Sequence, residues 1–137
     1  MYQKITIVGN LGRDPEMRYL PDGTAVTSLN VATSRKYTDR AGKSVDETTW
    51  FKVSVWNKQA ENANQYLAKG SKVLVEGTLT PDPNTGGPRI WSRQDGTAGA
   101  SFEIRANDVR YLSTSNGNGR DNHVSPENQP EDDQIPF

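Results

Sequence analysis

From Thr48 to Trp56 (TTWFKVSVW) the side chains alternate with period two: Thr49, Phe51, Val53 and Val55 fall on one side of an extended chain, Trp50, Lys52, Ser54 and Trp56 on the other. The β-branched and aromatic content suits a pleated, half-buried surface, so this stretch predicts a strand whose first face packs on a core. Its second face is unusual, because it carries two indoles with a cation between them. Such a face is either covered by a helix or a subunit partner, or is a platform on which nucleic-acid bases stack while Lys52 reaches phosphate.

The same periodicity predicts the neighbouring elements. Tyr2–Leu11 reads as a strand with Ile5 and Ile7 on one face and Lys4, Thr6 and Val8 on the other. Arg13-Asp14-Pro15 breaks it, and Met17–Leu20 is a short extended piece. Pro21-Asp22-Gly23 is a turn, with Pro presetting φ and Gly accepting a positive one. A strand from about Ala25 to Tyr37 follows, with Leu29 and Val31 as its clearest core residues. The polar loop Asp39–Lys43 makes a hairpin with the Thr48–Trp56 strand. After Trp56 the period changes. Asn57 suits an N-cap, Ala60, Ala63 and Leu67 have helical spacing, and Gly70 follows Lys69, which predicts a helix over 58–69. Lys72–Thr80 is a strand with Val73, Val75 and Leu79 inward and a sharp bend at Gly77. The Pro/Gly-rich 81–88 segment cannot continue a central strand. Arg89–Arg93 is a short strand turned by Asp95-Gly96. Ser101–Leu112 is the last, with Phe102, Ile104 and Ala106 inward and a bulge where alternation slips at Asn107-Asp108. The order β-β-β-α-β-β, with one helix between strands three and four, predicts an all-β, five-stranded OB-fold barrel; a β-sandwich or SH3-like barrel would give a similar pattern.

Composition narrows the chemistry. The chain has 137 residues, no cysteine and a single histidine, His123, in a polar region. Thiol chemistry, a cysteine metal site and a histidine-based catalytic centre are therefore not expected, and neither a metal nor a cofactor is predicted. No long apolar run predicts a membrane span, and the N-terminus does not resemble a signal peptide. The expectation is a soluble cytoplasmic protein. The net charge of −1 divides unevenly: residues 1–112 hold 15 Lys+Arg against 12 Asp+Glu, whereas residues 113–137 hold one Arg against five acids. Residues 113–131 have linker composition, and after Ser113 only Val124, Ile135 and Phe137 are apolar besides proline, so this tail is expected to be disordered. It ends Glu131-Asp132-Asp133-Gln134-Ile135-Pro136-Phe137, an acidic run followed by an apolar, aromatic tip.

Taken together and in order, VGNLGRDPEMRY (Val8–Tyr19), TTWFKVSVW, YLAKG (Tyr66–Gly70), V-x-V-E-G (Val73–Gly77) and the terminal DDQIPF resemble the bacterial single-stranded-DNA-binding proteins. The resemblance covers the chain except residues 81–88 and most of the linker. It implies a homotetramer of OB-folds that binds single-stranded DNA without sequence preference and without catalysis, in replication, recombination and repair, associated with the nucleoid. It assigns base stacking to Trp50, Trp56 and Trp91, with Tyr37 at a position where the family often has tryptophan, and phosphate contacts to Lys52, Lys58 and Lys69. Arg35, Lys36, Lys43, Lys72, Arg89 and Arg93 join them on charge and neighbourhood; for each of the nine cations the alternative is an ordinary solvated surface charge. The implied organisation is a DNA-binding domain at 1–112, a linker at 113–131 and a docking tip at 132–137. In the tip Asp132, Asp133, Gln134, Ile135, Pro136 and Phe137 recruit DNA-maintenance proteins, in the manner of carboxylate-and-pocket recognition. Gln134 stands where many members have another acid, and 81–88 leaves the register of Arg89 and Trp91 open. Two rivals remain: another OB-type binder of the primosome or of RNA, and an OB-domain enzyme or toxin. The acidic tail disfavours the first, and the absence of any recognisable catalytic constellation disfavours the second.

Overall fold

The computed structural model describes residues 1–113. They form, in order, β1 (Ile5–Leu11), β2 (Glu16–Tyr19), β3 (Ala25–Thr38), β4 (Ser44–Trp56), α1 (Asn57–Tyr66), β5 (Lys72–Leu79), β6 (Ile90–Ser92), β7 (Ala98–Ala100) and β8 (Phe102–Ser113). Five of these close a barrel in the order β1-β5-β8-β4-β3, with β3 returning to β1 through Asn10↔Ala32 and Leu11↔Val31. Neighbours are antiparallel except β4 and β8, which run parallel from Phe51↔Phe102 to Ser54↔Arg105. A single helix between the third and fourth barrel strands completes the expected OB-fold. The short β2 extends the sheet beyond β3, and β6 and β7 form a separate two-stranded hairpin.

Period-two alternation gives the barrel its contents. Ile7, Leu11, Leu29, Val31, Val53, Val55, Val73, Val75 and Ile104 point inward and are buried. The helix closes one end with Ala60 and Ala63, and the Thr27 hydroxyl in the wall donates to the Ala60 carbonyl at 2.7 Å. The alternation of β8 slips where expected. Glu76 pairs with Asp108 and Gly77 with Ala106, so Asn107 is the extra residue of a bulge. Gly77 belongs to the same feature, because a Cβ there would collide with the Arg105 carbonyl.

Three local expectations differ from the structure. The helix stops at Tyr66, not Lys69: Leu67 turns extended (φ −100°, ψ 149°) and is buried in the core. The next residues are held by tertiary bonds, with Lys69 N–H donating to Asp14 Oδ1 at 2.8 Å and Gly70 N–H to the Leu11 carbonyl at 2.9 Å. Asn57 does not cap the helix either. Trp56 occupies that position with no side-chain cap, and Asn57 adopts φ 60°, a left-handed conformation that Asn tolerates. Leu79 and Phe102, expected in the core, are 47% and 58% exposed. Both face inward, but at the barrel mouth opposite the helix, where among the described residues neither is covered.

Residues 81–88 form no strand. Asp82 N–H donates to the Gly87 carbonyl at 2.8 Å and Gly86 N–H to the Asp82 carbonyl at 2.9 Å, which folds the segment on itself before β6. Ser113 ends β8; the rest of the expected linker and the 132–137 tip lie outside the described residues.

Candidate functional site

The outward face of the β2-β3-β4-β8 sheet is set by register. Trp50 lies opposite Ala32, Lys52 opposite Asn30 on one side and Glu103 on the other, and Ser54 between Ser28 and Arg105. Trp56 lies opposite Val26, which in turn pairs with Arg18 of β2. The two indoles of β4 therefore share a face, six residues and about 20 Å of extended chain apart. The middle of this face is an open groove of about 840 Å³, lined by Gly12, Arg13, Arg18, Asn30, Trp50, Lys52 and Trp91 among others. Trp50 and Trp91 are 54% and 41% exposed, large flat apolar surfaces open to solvent. The β6–β7 hairpin, which the loop at 81–88 delivers, thus brings Trp91 to the same groove as Trp50.

Trp56 has a different setting. Its ring is half-buried, and its Nε1 is buried without a hydrogen-bond partner among the described residues. The Arg105 guanidinium lies 5.1 Å from the ring centroid, a cation–π contact that covers it. It is not among the residues that line the groove.

The expected cations scatter more widely than the aromatics. Lys52 is exposed within the groove. Arg89 is beside it, 3.8 Å from Glu103, an ion pair that ties the start of the β6 segment to β8. Arg93 serves the hairpin turn, donating to the Ala98 carbonyl at 2.6 Å. Arg35 stacks on Tyr37 (4.8 Å to the centroid), Lys36 faces Asp46 at 4.0 Å, and Lys43 sits at the foot of the loop between β3 and β4. These three cations, with Tyr37, lie on the long β3–β4 ribbon that projects past the barrel mouth. Lys58 pairs with Glu61 on the helix at 3.5 Å. Lys69 lies in the turn after the helix, and Lys72 opens β5 opposite Asn10 of β1; neither is among the groove-lining residues.

Sequence reasoning missed Arg13, Arg18 and Arg105. Arg13 and Arg18 sit in VGNLGRDPEMRY, a stretch read for its resemblance and its chain break but not for its charges. Both line the groove with Lys52, and Glu16 is the carboxylate among its lining residues. The Arg13 guanidinium donates to the Asn30 amide oxygen, taking the amide orientation that satisfies both groups, and lies 3.8 Å from Glu16. That fixes its direction along the groove floor. An open groove with two exposed indoles among three cations can hold flat apolar rings and anionic groups side by side. The fold is an OB-barrel, and the groove on its face sets stacking surface and positive charge side by side.

A sequence profile of the Single-strand binding protein family matches residues 2–112, and the chain belongs to that family. Among curated relatives, the single-stranded DNA-binding protein of Neisseria meningitidis is 39% identical over 115 residues, covering 84% of this chain and 62% of the relative. That of Wolinella succinogenes is 38% identical over 112 residues, covering 82% of this chain and 65% of its own length. The matched region thus spans just under two thirds of these relatives. Among solved structures, a deletion mutant of the Thermus aquaticus single-stranded DNA binding protein superposes with a TM-score of 0.62 at 28% identity, over 80% of this chain and 50% of that one. The Plasmodium falciparum protein, solved in complex with single-stranded DNA, gives 0.67 at 24% identity over 82% and 97%, a likeness of fold.

Proposed function

We propose that this chain binds single-stranded DNA along the groove, without sequence preference and without chemistry on the DNA. The observation that carries this reading is the shared groove of Trp50, Trp91, Lys52, Arg13 and Arg18. Every base has a π-face, so stacking on Trp50 and Trp91 is blind to sequence and contributes roughly 1–3 kcal/mol per base. Cations between the rings meet phosphates and release counterions, which makes binding salt-dependent. The names of the relatives support the same ligand. Tyr37 with Arg35, Lys36 and Lys43 on the ribbon, and Lys58, Lys69, Lys72, Arg89 and Arg93 elsewhere, are secondary contacts along a longer strand.

The protein works as a homotetramer, protecting exposed strands in replication, recombination and repair, in the cytoplasm on the nucleoid. Exposed Val8 and Leu112, neither of which lines the groove, are suitable surface for subunit contact. Among the described residues no helix is long and apolar enough to cross a membrane. Residues 132–137 recruit DNA-maintenance proteins, a role supported by their acidic-then-aromatic composition.

Light scattering with and without poly-dT tests assembly and ligand together. A tetramer that gains the mass of poly-dT, and releases it to excess poly-dT but not to matching RNA or duplex, fits the reading. Preference for RNA would move the chain to the class of RNA binders.

A further inference from the structure

The two groove indoles share a feature that charge and stacking do not explain: each rests on a glycine contributed by a neighbouring strand or its end. Trp50 leans from β4 across Ala32 of β3 onto Gly12, just past the end of β1. A Cβ at Gly12 would come within 2.5 Å of Trp50 Cη2 and closer still to Cζ3. Trp91 lies over its direct cross-strand partner Gly99 on β7, where a Cβ would stand 2.7 Å from Cε2, 2.8 Å from Nε1 and 3.0 Å from Cζ2. Real Cβ atoms do not approach a ring so closely, so both rings fill space that any other residue type would occupy. Nor can either glycine easily retreat. Gly12 N–H donates to the Asn30 carbonyl at 2.9 Å, and Gly99 is in a strand register with Trp91. Neither glycine has the positive φ that would demand glycine on backbone grounds. What requires glycine is the ring above it.

We propose that Gly12 and Gly99 are positioning residues of the DNA site: seats that hold Trp50 and Trp91 down on the scaffold, with the rest of each ring open to the groove. The inference rests on the proposed DNA reading for its consequence, but the seats themselves are a property of the free protein. A side chain opposite an aromatic usually competes for the same face of the sheet. Removing it at these two positions lets the indole settle over the partner backbone. A stacking ring held in this way loses less rotamer freedom when a base arrives, which is how pre-organisation adds to affinity.

The test uses the full chain labelled with 5-fluorotryptophan, its three resonances assigned by single Trp→Phe substitutions. Gly12→Ala is expected to shift the Trp50 resonance and leave Trp91 in place. Gly99→Ala is expected to do the reverse. Each should weaken poly-dT binding about five- to tenfold at fixed salt. The loss should vanish in the background that lacks the ring: Gly12→Ala adds nothing to Trp50→Ala, and Gly99→Ala adds nothing to Trp91→Ala. This non-additivity is the signature of a residue acting through its neighbour. Should Gly12→Ala misfold alone, the Gly99 arm carries the test on the separate hairpin. Unshifted resonances with unchanged affinity, or losses that add fully to the tryptophan variants, overturn the seats. Wild-type resonances that ignore poly-dT would instead count against the DNA reading and leave the seats standing.

Discussion

Tyr37 and Trp50 lie on opposite faces of the β3–β4 ribbon. Trp50 pairs with Ala32 and Tyr37 with Val45, and Tyr37 is five positions beyond Ala32, an odd step along a strand whose side chains alternate. Tyr37 therefore shares its face with Arg35, whose guanidinium stacks on it, and not with the groove. A strand touching both aromatics has to pass around the ribbon. The Tyr37→Ala and Trp50→Ala losses in poly-dT affinity should accordingly be additive within about 0.5 kcal/mol, as for sites without shared partners. With an oligonucleotide too short to leave the groove, Tyr37→Ala should have no effect. Strong coupling between the two in fluorescence titrations would place them on one stacked run.

Trp50 and Trp56 share a strand face yet differ in setting. Trp50→Ala should weaken DNA binding by roughly 1–3 kcal/mol and change stability little. Trp56→Ala removes a half-buried ring packed under Arg105, so its main cost falls on folding, up to about 3 kcal/mol, the low end for truncating a large aromatic. Urea denaturation beside a binding titration separates the two. A Trp56→Ala protein of unaltered stability and lost affinity would return Trp56 to the stacking set.

The groove cations should show in the salt dependence. Each phosphate contact contributes about 0.7 to the slope of log K against log salt on single strands. Arg13→Ala and Arg18→Ala should each flatten that slope by about this amount, whereas Lys72→Ala, which does not line the groove, should leave it unchanged for a groove-length strand. Equal slopes in all three variants would mean that the phosphates run elsewhere.

Much of this was legible in the chain. The alternation through Thr48–Trp56, the inward Val73 and Val75, the bulge at Asn107 and the helix after β4 all follow from local period. What was not legible depended on distant partners. Arg13 and Arg18 look like loop charges until β2 pairs with β3 and Asn30 turns Arg13 along the floor. Trp91 had no readable register, because the self-folded segment at 81–88 has no period and only the β6–β7 pairing delivers the ring. The helix was overextended because Leu67 fits the helical spacing as well as it fits the core, and burial decided against the helix.

Asp95 gives the hairpin a pH limit. Its carboxylate accepts from the Thr97 hydroxyl at 2.7 Å and the Thr97 N–H at 3.0 Å, and these bonds hold its pKa below the ordinary 3.8. A depressed pKa contributes stability that is present above the ordinary value and is lost as pH falls through the depressed one. The turn carrying Trp91 should therefore stay intact from neutral pH down to about 4 and loosen only below it. In a Trp50→Phe, Trp56→Phe protein, Trp91 emission should be flat over that upper range. A transition near pH 6 would point to a different group.

The shared groove is tested most directly by tryptophan fluorescence on adding poly-dT to the wild-type chain, to Trp50→Phe, and to the protein that retains Trp91 as its sole indole. The account predicts strong quenching in the wild type, a smaller change without Trp50, and quenching of the lone Trp91, all reversed by salt. Unchanged emission from Trp50 and Trp91 at saturating poly-dT would contradict it.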